Sequence, residues 1–371
     1  MAEAPLTLRD LNRATLARQM LLGRERVKPL RAIERLVGLQ AQWPKPPHVG
    51  LWSRALGFER EDLLGLLNRR EAVRATMMRG TIHVVSAKDY VALRPALQPM
   101  LARNLLAVLR ERAKGIDVDE VAAITRTCLA EGPRTFEQIR DALAKVHPAA
   151  DHRAMGYIAR LSVPLVQVPA AGEGWGFPAA PQFGLAEDWL GEKLSGPDGP
   201  EDLVLRYLAA FGPATAGDVQ TWSGLQGVKE TLEGLRPKLV VLRDERKREA
   251  FDLPKAPRPG PDAVAPPVFL PEFDNIVLAH SDRRRFVADR HRKRVYLPGL
   301  RIAATFLVDG FVAGTWGVER KKDAATITVE PFEPLGKKSQ QELAAEADGL
   351  VRFVEPGART YDVRFARPRA N

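Results

Sequence analysis

The chain of 371 residues has one cysteine, Cys128. That excludes an internal disulfide and a cysteine-based metal cluster built within one chain. No run of 18 apolar residues occurs, so no transmembrane helix is expected. The segment from Met1 to Asp10 lacks the apolar stretch and cleavage site of a secretion signal. These absences together predict a cytoplasmic protein. There is also no P-loop and no glycine-rich dinucleotide fingerprint, so the common nucleotide-dependent classes lose their usual signal. The six histidines, at positions 48, 83, 147, 152, 280 and 291, never take the spacing of a metalloprotease. No metal and no cofactor are expected.

What is abundant is positive charge. Lysine and arginine exceed aspartate and glutamate by 10. A surplus of this size suggests a polyanionic partner, although an arginine-favouring genome would also produce it. The surplus is concentrated. Arg283, Arg284, Arg285, Arg290, Arg292, Lys293 and Arg294 fall between His280 and Arg294, opposed only by Asp282 and Asp289. Such a segment would neutralise several phosphates, unless it is simply a solvated loop.

Two segments look like copies of one unit. One begins Gly132-Pro133-Arg134-Thr135 and continues through Phe136, Ile139 and Leu143 at helical spacing. The other begins Gly212-Pro213-Ala214-Thr215 and continues through Val219, Trp222 and Leu225. In both, Gly-Pro breaks a preceding helix and threonine takes an N-cap position. The first is followed by a helical stretch from His152 to Leu161, then Leu165 to Val168, a glycine turn and Trp175-Gly176-Phe177. The second is followed by Val228 to Leu235, Lys238 to Leu242, a charged turn and Ala250 to Leu253. Helices followed by a two-stranded hairpin are the order of a winged helix.

The first third fits the same plan less cleanly. Leu8, Leu11, Leu16, Met20 and Leu21 give an amphipathic helix, and Pro29 opens a second through Leu36. Trp43-Pro44-Lys45-Pro46-Pro47 predicts a loop. A further helical stretch includes Leu51, Trp52 and Leu56. Ala75 to Met78 and Thr81 to Val85, split by Arg79-Gly80, predict a wing-like hairpin. A proline-rich linker, Pro254 to Pro267, precedes a mainly β region. The expectation is an α+β chain of tandem winged-helix units in a concave arrangement. Its units are 1–115, 116–195 and 196–258, with a β-rich C-terminal domain at 259–371. Winged helices also bind proteins, so the fold alone does not assign DNA.

The stretch Leu36-Val37-Gly38-Leu39-Gln40-Ala41-Gln42-Trp43-Pro44 resembles the Gln-apolar-Gln motif of the AlkZ/YcaQ-type winged-helix DNA glycosylases. In the YcaQ-like relatives the second position is typically aspartate. Met78-Arg79-Gly80-Thr81-Ile82-His83 is similar to a family stretch, Arg-Gly-Thr-apolar-His. Leu270-Pro271-Glu272-Phe273-Asp274-Asn275, with Asp282-Arg283-Arg284-Arg285 after it, is similar to the family's C-terminal signature. The resemblance spans nearly the whole chain. It implies excision of alkylated bases, including crosslinked ones, from double-stranded DNA, with Gln40 and Gln42 as the catalytic pair. Arg79 and His83, within the second of these stretches, are expected to contact DNA. The Gln/Gln version resembles members that protect a producer from its own genotoxin. Apart from the resemblance, two glutamines beside a proline run would more simply cap a helix, and His83 would be a core histidine satisfied by a backbone group.

Two glutamines make chemical sense for one substrate class. Breaking an N-glycosidic bond builds positive charge on the sugar. An N7- or N3-alkylated purine already carries a positive charge and departs neutral, so no strong acid is needed. An amide offers a carbonyl acceptor and two N–H donors, enough to hold a water in place. A crosslinked base cannot rotate the roughly 180° of ordinary base flipping, so the site must reach into the duplex. The basic segment, with Arg283, Arg284, Arg285, Arg290, Arg292 and Lys293, is the candidate to do so. A monomeric, monofunctional glycosylase is expected. No lysine adjoins the pair closely enough in sequence to suggest lyase chemistry; Lys45, in the proline stretch, is the only candidate. The competing readings are a winged-helix transcription regulator, which commonly dimerises on palindromes, and a DNA-damage-binding protein without catalysis.

Overall fold

The computed structural model describes residues 4–196 and 199–368. The chain is a mixed α+β structure. Its first part runs α1 (Leu8–Arg18), α2 (Pro29–Arg35), β1 (Leu39–Gln40), α3 (Lys45–Trp52), α4 (Arg60–Asn68), β2 (Ala72–Thr76), β3 (Ile82–Ser86) and the long α5 (Ala87–Leu109). Next come α6 (Val118–Ala130), β4 (Arg134–Thr135), α7 (Phe136–Val146), α8 (His152–Ser162), β5 (Leu165–Gln167), β6 (Gln182–Leu185) and α9 (Ala186–Leu190). The second of the two similar segments forms α10 (Glu201–Phe211), α11 (Ala216–Ser223), α12 (Val228–Leu235), β7 (Val240–Arg243) and β8 (Glu249–Asp252).

Both expected threonine caps form. Thr135 accepts from the Gln138 N–H and Thr215 from the Asp218 N–H, each in a reciprocal capping box. In each copy the short approach to the helix also bridges to the later hairpin. Arg134–Thr135 pairs with Gln182–Phe183, and Ala214 pairs with Phe251.

Two expectations differ from the structure. The proline stretch does not exclude a helix, since α3 starts at Lys45 with Pro46 and Pro47 in its first turn. The first N–H groups of a helix have no intrahelical acceptor, so proline costs nothing there. The strand returning to β5 is Gln182–Leu185 rather than Trp175–Phe177. Trp175 instead packs edge-on to His48 at 5.1 Å and lies under the Arg60 guanidinium at 3.8 Å.

One six-stranded sheet, in the order β1-β3-β2-β5-β6-β4, runs from the first part into the second through Arg74–Gln167 pairing. The largest apolar core includes Leu97 and Leu101 of α5, Ile158 of α8, and Leu208, Trp222 and Leu232 of α10 to α12.

The proline-rich linker is held by α1. Arg9, Arg13 and Arg18 donate to the carbonyls of Pro261, Ala263 and Pro257. Beyond it lie β9 (Val268–Leu270), α13 (Asn275–Leu278), α14 (Arg292–Val295), β10 (Tyr296–Leu297), β11 (Arg301–Ile302), β12 (Thr305–Val308), β13 (Phe311–Lys321), β14 (Ala324–Pro331), α15 (Lys337–Val354) and β15 (Thr360–Phe365). The sheet order is β15-β14-β13-β12-β9, and α15 packs Leu343, Ala347, Leu350 and Val351 against it. Among the described residues no helix is long and apolar enough to cross a membrane.

Candidate active site and nucleic-acid interface

The glutamine segment is shaped by its backbone first. Gly38 sits at φ +88°, where a Cβ would lie 2.5 Å from Val85 Cγ1 and 3.0 Å from the Val84 carbonyl. Only glycine permits that approach to β3. Leu39 and Gln40 then pair antiparallel with Val84 and His83. Ala41 continues the pairing through its N–H to the Ile82 carbonyl at 2.7 Å. Gln42 lies two residues past the end of β1, in a bend.

Gln40 is enclosed, with 6% of its surface exposed. Its Oε1 accepts from the Arg79 guanidinium at 2.7 Å. A guanidinium has donors only, so the carbonyl of Gln40 must face it and the amide N–H₂ turns away. Arg79 also donates to the Trp222 carbonyl. Its backbone is left-handed at φ +57°, and Asn104 Nδ2 donates to its carbonyl at 3.2 Å. Burial, and then repulsion from Arg283, lowers the Arg79 pKa to about 10, so it stays charged at neutral pH.

Gln42 is half-buried. Its Oε1 takes only a long hydrogen bond, 3.4 Å from the Ile82 N–H, and its side chain lines a cavity of about 720 Å³. Behind it, Arg74 donates to the carbonyls of Ala41, at 3.0 and 2.8 Å, and Gln42, at 3.2 Å, and to Gln167 Oε1.

His83 is buried, and its Nδ1 lies 3.0 Å from the Thr81 carbonyl. Burial, and then Arg79, lowers its pKa to about 3. It is therefore a neutral imidazole whose Nδ1–H is donated, which makes Nε2 an acceptor.

The three sequence landmarks converge here. Arg79 holds Gln40, His83 pairs with it, and Asn275 Nδ2 donates to the Gly38 carbonyl at 2.7 Å. Next to Asn275, Asp274 forms a buried ion pair with Arg54 at 2.9 Å. Arg74, Asn104, Asn275 and the Trp222 carbonyl are contributors that the sequence reading did not assign. Arg74 carried one signal, an arginine in the otherwise uncharged strand Ala72–Thr76. Lys45 is half-buried, and burial lowers its pKa against the opposing influence of Glu272 and Glu355.

The basic segment is divided by burial. Arg285 is buried and donates to the carbonyls of Pro213 (3.0 Å) and Phe211 (3.3 Å) and to Thr15 Oγ1 (3.2 Å). The expectation of a DNA contact is corrected for this residue, because its donors are spent inside the fold. Arg79, half-buried, also uses donors inside the fold, on Gln40 and a main-chain carbonyl. Arg283 is half-buried over the Tyr296 ring at 5.6 Å, and Arg284 pairs with Asp282 at 2.5 Å. Arg290, Arg292 and Lys293 are exposed. Arg290 pairs with Glu333 at 2.8 Å and Arg292 lies 3.6 Å from Asp289. Exposed pairs of this kind are worth up to about 1 kcal/mol, so a phosphate can displace the carboxylate. Directly after α14, the β10–β11 hairpin holds Leu300 fully out in solvent. Among the described residues no three His, Cys, Asp or Glu side chains converge as a metal site requires.

A family model for AlkZ-like DNA glycosylases matches residues 33–353. The chain belongs to the AlkZ-like DNA glycosylase family. It is accordingly a DNA N-glycosylase, a hydrolase of DNA repair. Among solved structures, the Streptomyces sahachiroi DNA glycosylase AlkZ has the same fold, with a TM-score of 0.79 at 19% identity. The match covers 98% of this chain and 100% of the AlkZ chain. No curated protein matches the sequence. In this AlkZ-like chain the matched span begins ahead of the glutamine segment and ends within α15, so it includes Gln40, Gln42, Arg74, Arg79, His83 and Asn275.

Proposed function

We propose that the chain hydrolyses the N-glycosidic bond of cationic N7- and N3-alkylated purines in double-stranded DNA, including purines in interstrand crosslinks. The observation that carries this reading is the asymmetry of the two amides. The Gln40 carbonyl is committed to Arg79, whereas the Gln42 carbonyl is nearly free beside an open cavity. Gln42 then holds the attacking water by its proton, and Gln40 offers N–H donors to fix the geometry. The water oxygen bonds to C1′ as the C1′–N bond breaks. The bonding pair passes to the purine and cancels its charge, and a water proton leaves to solvent. No group near the pair needs to act as an acid: His83 is held neutral by burial. A normal base, which leaves only with acid help, is spared.

The two similar segments, with their capped helices and terminal hairpins, are read as winged helices, and the first part as a third, divergent one. The four domains are taken as 1–115, 116–195, 196–258 and 259–371 in a concave arrangement on the duplex. Arg290, Arg292 and Lys293 meet phosphates, with Arg283 nearer the glutamines. The exposed Leu300 at the hairpin tip is an apolar wedge of the kind that enters base steps. The enzyme acts as a monomer, and a self-resistance role fits the Gln/Gln form.

The test is duplex DNA carrying N7-methylguanine, with abasic sites read as strand breaks after base treatment. Strand breaks are expected with the wild type, and Gln42→Ala should lower the single-turnover rate at least about 100-fold while leaving DNA affinity unchanged. Specific binding without release of the base would instead support a regulator or a damage sensor.

A further inference from the structure

The cavity beside Gln42 has features that water positioning does not use. It lies between Gln42–Pro44, the start of α7 and the loop Phe177–Pro181. Its volume of about 720 Å³ falls within the roughly 300–1,000 Å³ of small-molecule pockets. Its walls are aromatic. Phe136 and Phe183 pack at 5.8 Å, Phe177 lies against the Arg74 guanidinium, and Trp43, 56% exposed, stands at the cavity's edge.

Arg140 and Arg160 join these walls. The Nε of each is enclosed and makes no hydrogen bond. That leaves the terminal guanidinium N–H groups of Arg140 and Arg160 as the donors a ligand oxygen in the cavity would meet. The one carboxylate in the lining is the exposed Glu137.

This chemistry sorts the possible occupants. A cationic purine would meet net positive charge and is disfavoured. A purine crosslinked to the opposite strand cannot swing in. The part of a lesion that can enter is the group carried on the alkylated nitrogen. Aromatic faces and unpaired guanidinium donors select a flat group with oxygen acceptors.

We propose that the cavity binds the substituent of a bulky lesion, a planar aromatic group bearing carbonyl or carboxylate oxygens, while the purine remains at the two glutamines. This rests on the glycosylase reading above, and binding is therefore measured apart from excision. The probes are duplexes with a single N7-phenacylguanine or N7-methylguanine, each on a 2′-fluoro sugar that resists hydrolysis. The wild type should bind the phenacyl duplex about tenfold more tightly. Ala180→Trp, at an exposed loop position of the cavity lining, should abolish that preference and leave N7-methyl binding unchanged. Arg160→Met should reduce it. Equal binding of the two duplexes by the wild type would overturn the proposal, as would a preference that survives Ala180→Trp. Excision is read separately on 2′-deoxy duplexes. A binding preference without release of either base keeps the substituent site and removes the glycosylase reading. Release of both with equal binding does the reverse.

Discussion

Burial decides what the ionisable side chains around the site can do. His48, His83 and His280 are each lowered to about 3, with burial as the largest cause in every case. A histidine with a depressed folded pKa binds fewer protons when folded than when unfolded. Its contribution to stability is complete above the unfolded value of 6.5 and is lost as pH falls toward 3. Three such groups predict that unfolding near pH 5 takes up about three protons. Thermal melts between pH 7 and 4 should therefore show a steep fall in Tm, flattened by His48→Gln or His280→Gln. A Tm that is flat over this range would mean these imidazoles are not held neutral. At the same scale, the glutamines were legible only through the resemblance. The role of Arg79 was hidden, because its second acceptor is the main chain of a residue 143 positions later.

At the scale of elements, a run of like charges proves to be several different things. Between Asp282 and Arg294 the chain makes tight turns and the short α14, and successive arginines point inward, sideways and out. A charge count cannot separate these, because burial is set by the direction of each turn. Arg285→Ala should cost about 3–5 kcal/mol, since it strips Asp218 of a buried cation 3.9 Å away. Arg290→Ala and Lys293→Ala should change stability by less than about 0.5 kcal/mol. Each should instead lower the salt dependence of DNA binding by about one unit of slope. Chemical denaturation and binding titrations across salt concentrations measure the two effects. An unchanged slope would remove these residues from the interface. Capped helices were the most legible elements, since Thr135 and Thr215 act within three residues of sequence. The β5–β6 return was misplaced because Trp175-Gly176-Phe177 has strand composition but finds its partners in α3, α4 and α15.

At the scale of the whole molecule, the order of helices and strands was largely legible and how distant segments join was not. Patterning within a segment reports local periodicity. It says nothing of the Arg74–Gln167 pairing that joins one sheet across two parts, or of Asn275 reaching Gly38. The glutamine segment is gripped from β2, from the β2–β3 turn and from the C-terminal region. A chain ending within the proline-rich linker lacks Asn275, Asp274 and the β-rich half of the fold. Such a truncation should retain helical circular dichroism but lose base release, even if duplex binding persists. Released base from that fragment would show that the C-terminal grip is dispensable. The grip from residues some 240 positions away also has a consequence during synthesis. A nascent chain shorter than 275 residues carries its catalytic segment without that anchor, so base release should begin only after the C-terminal region has emerged.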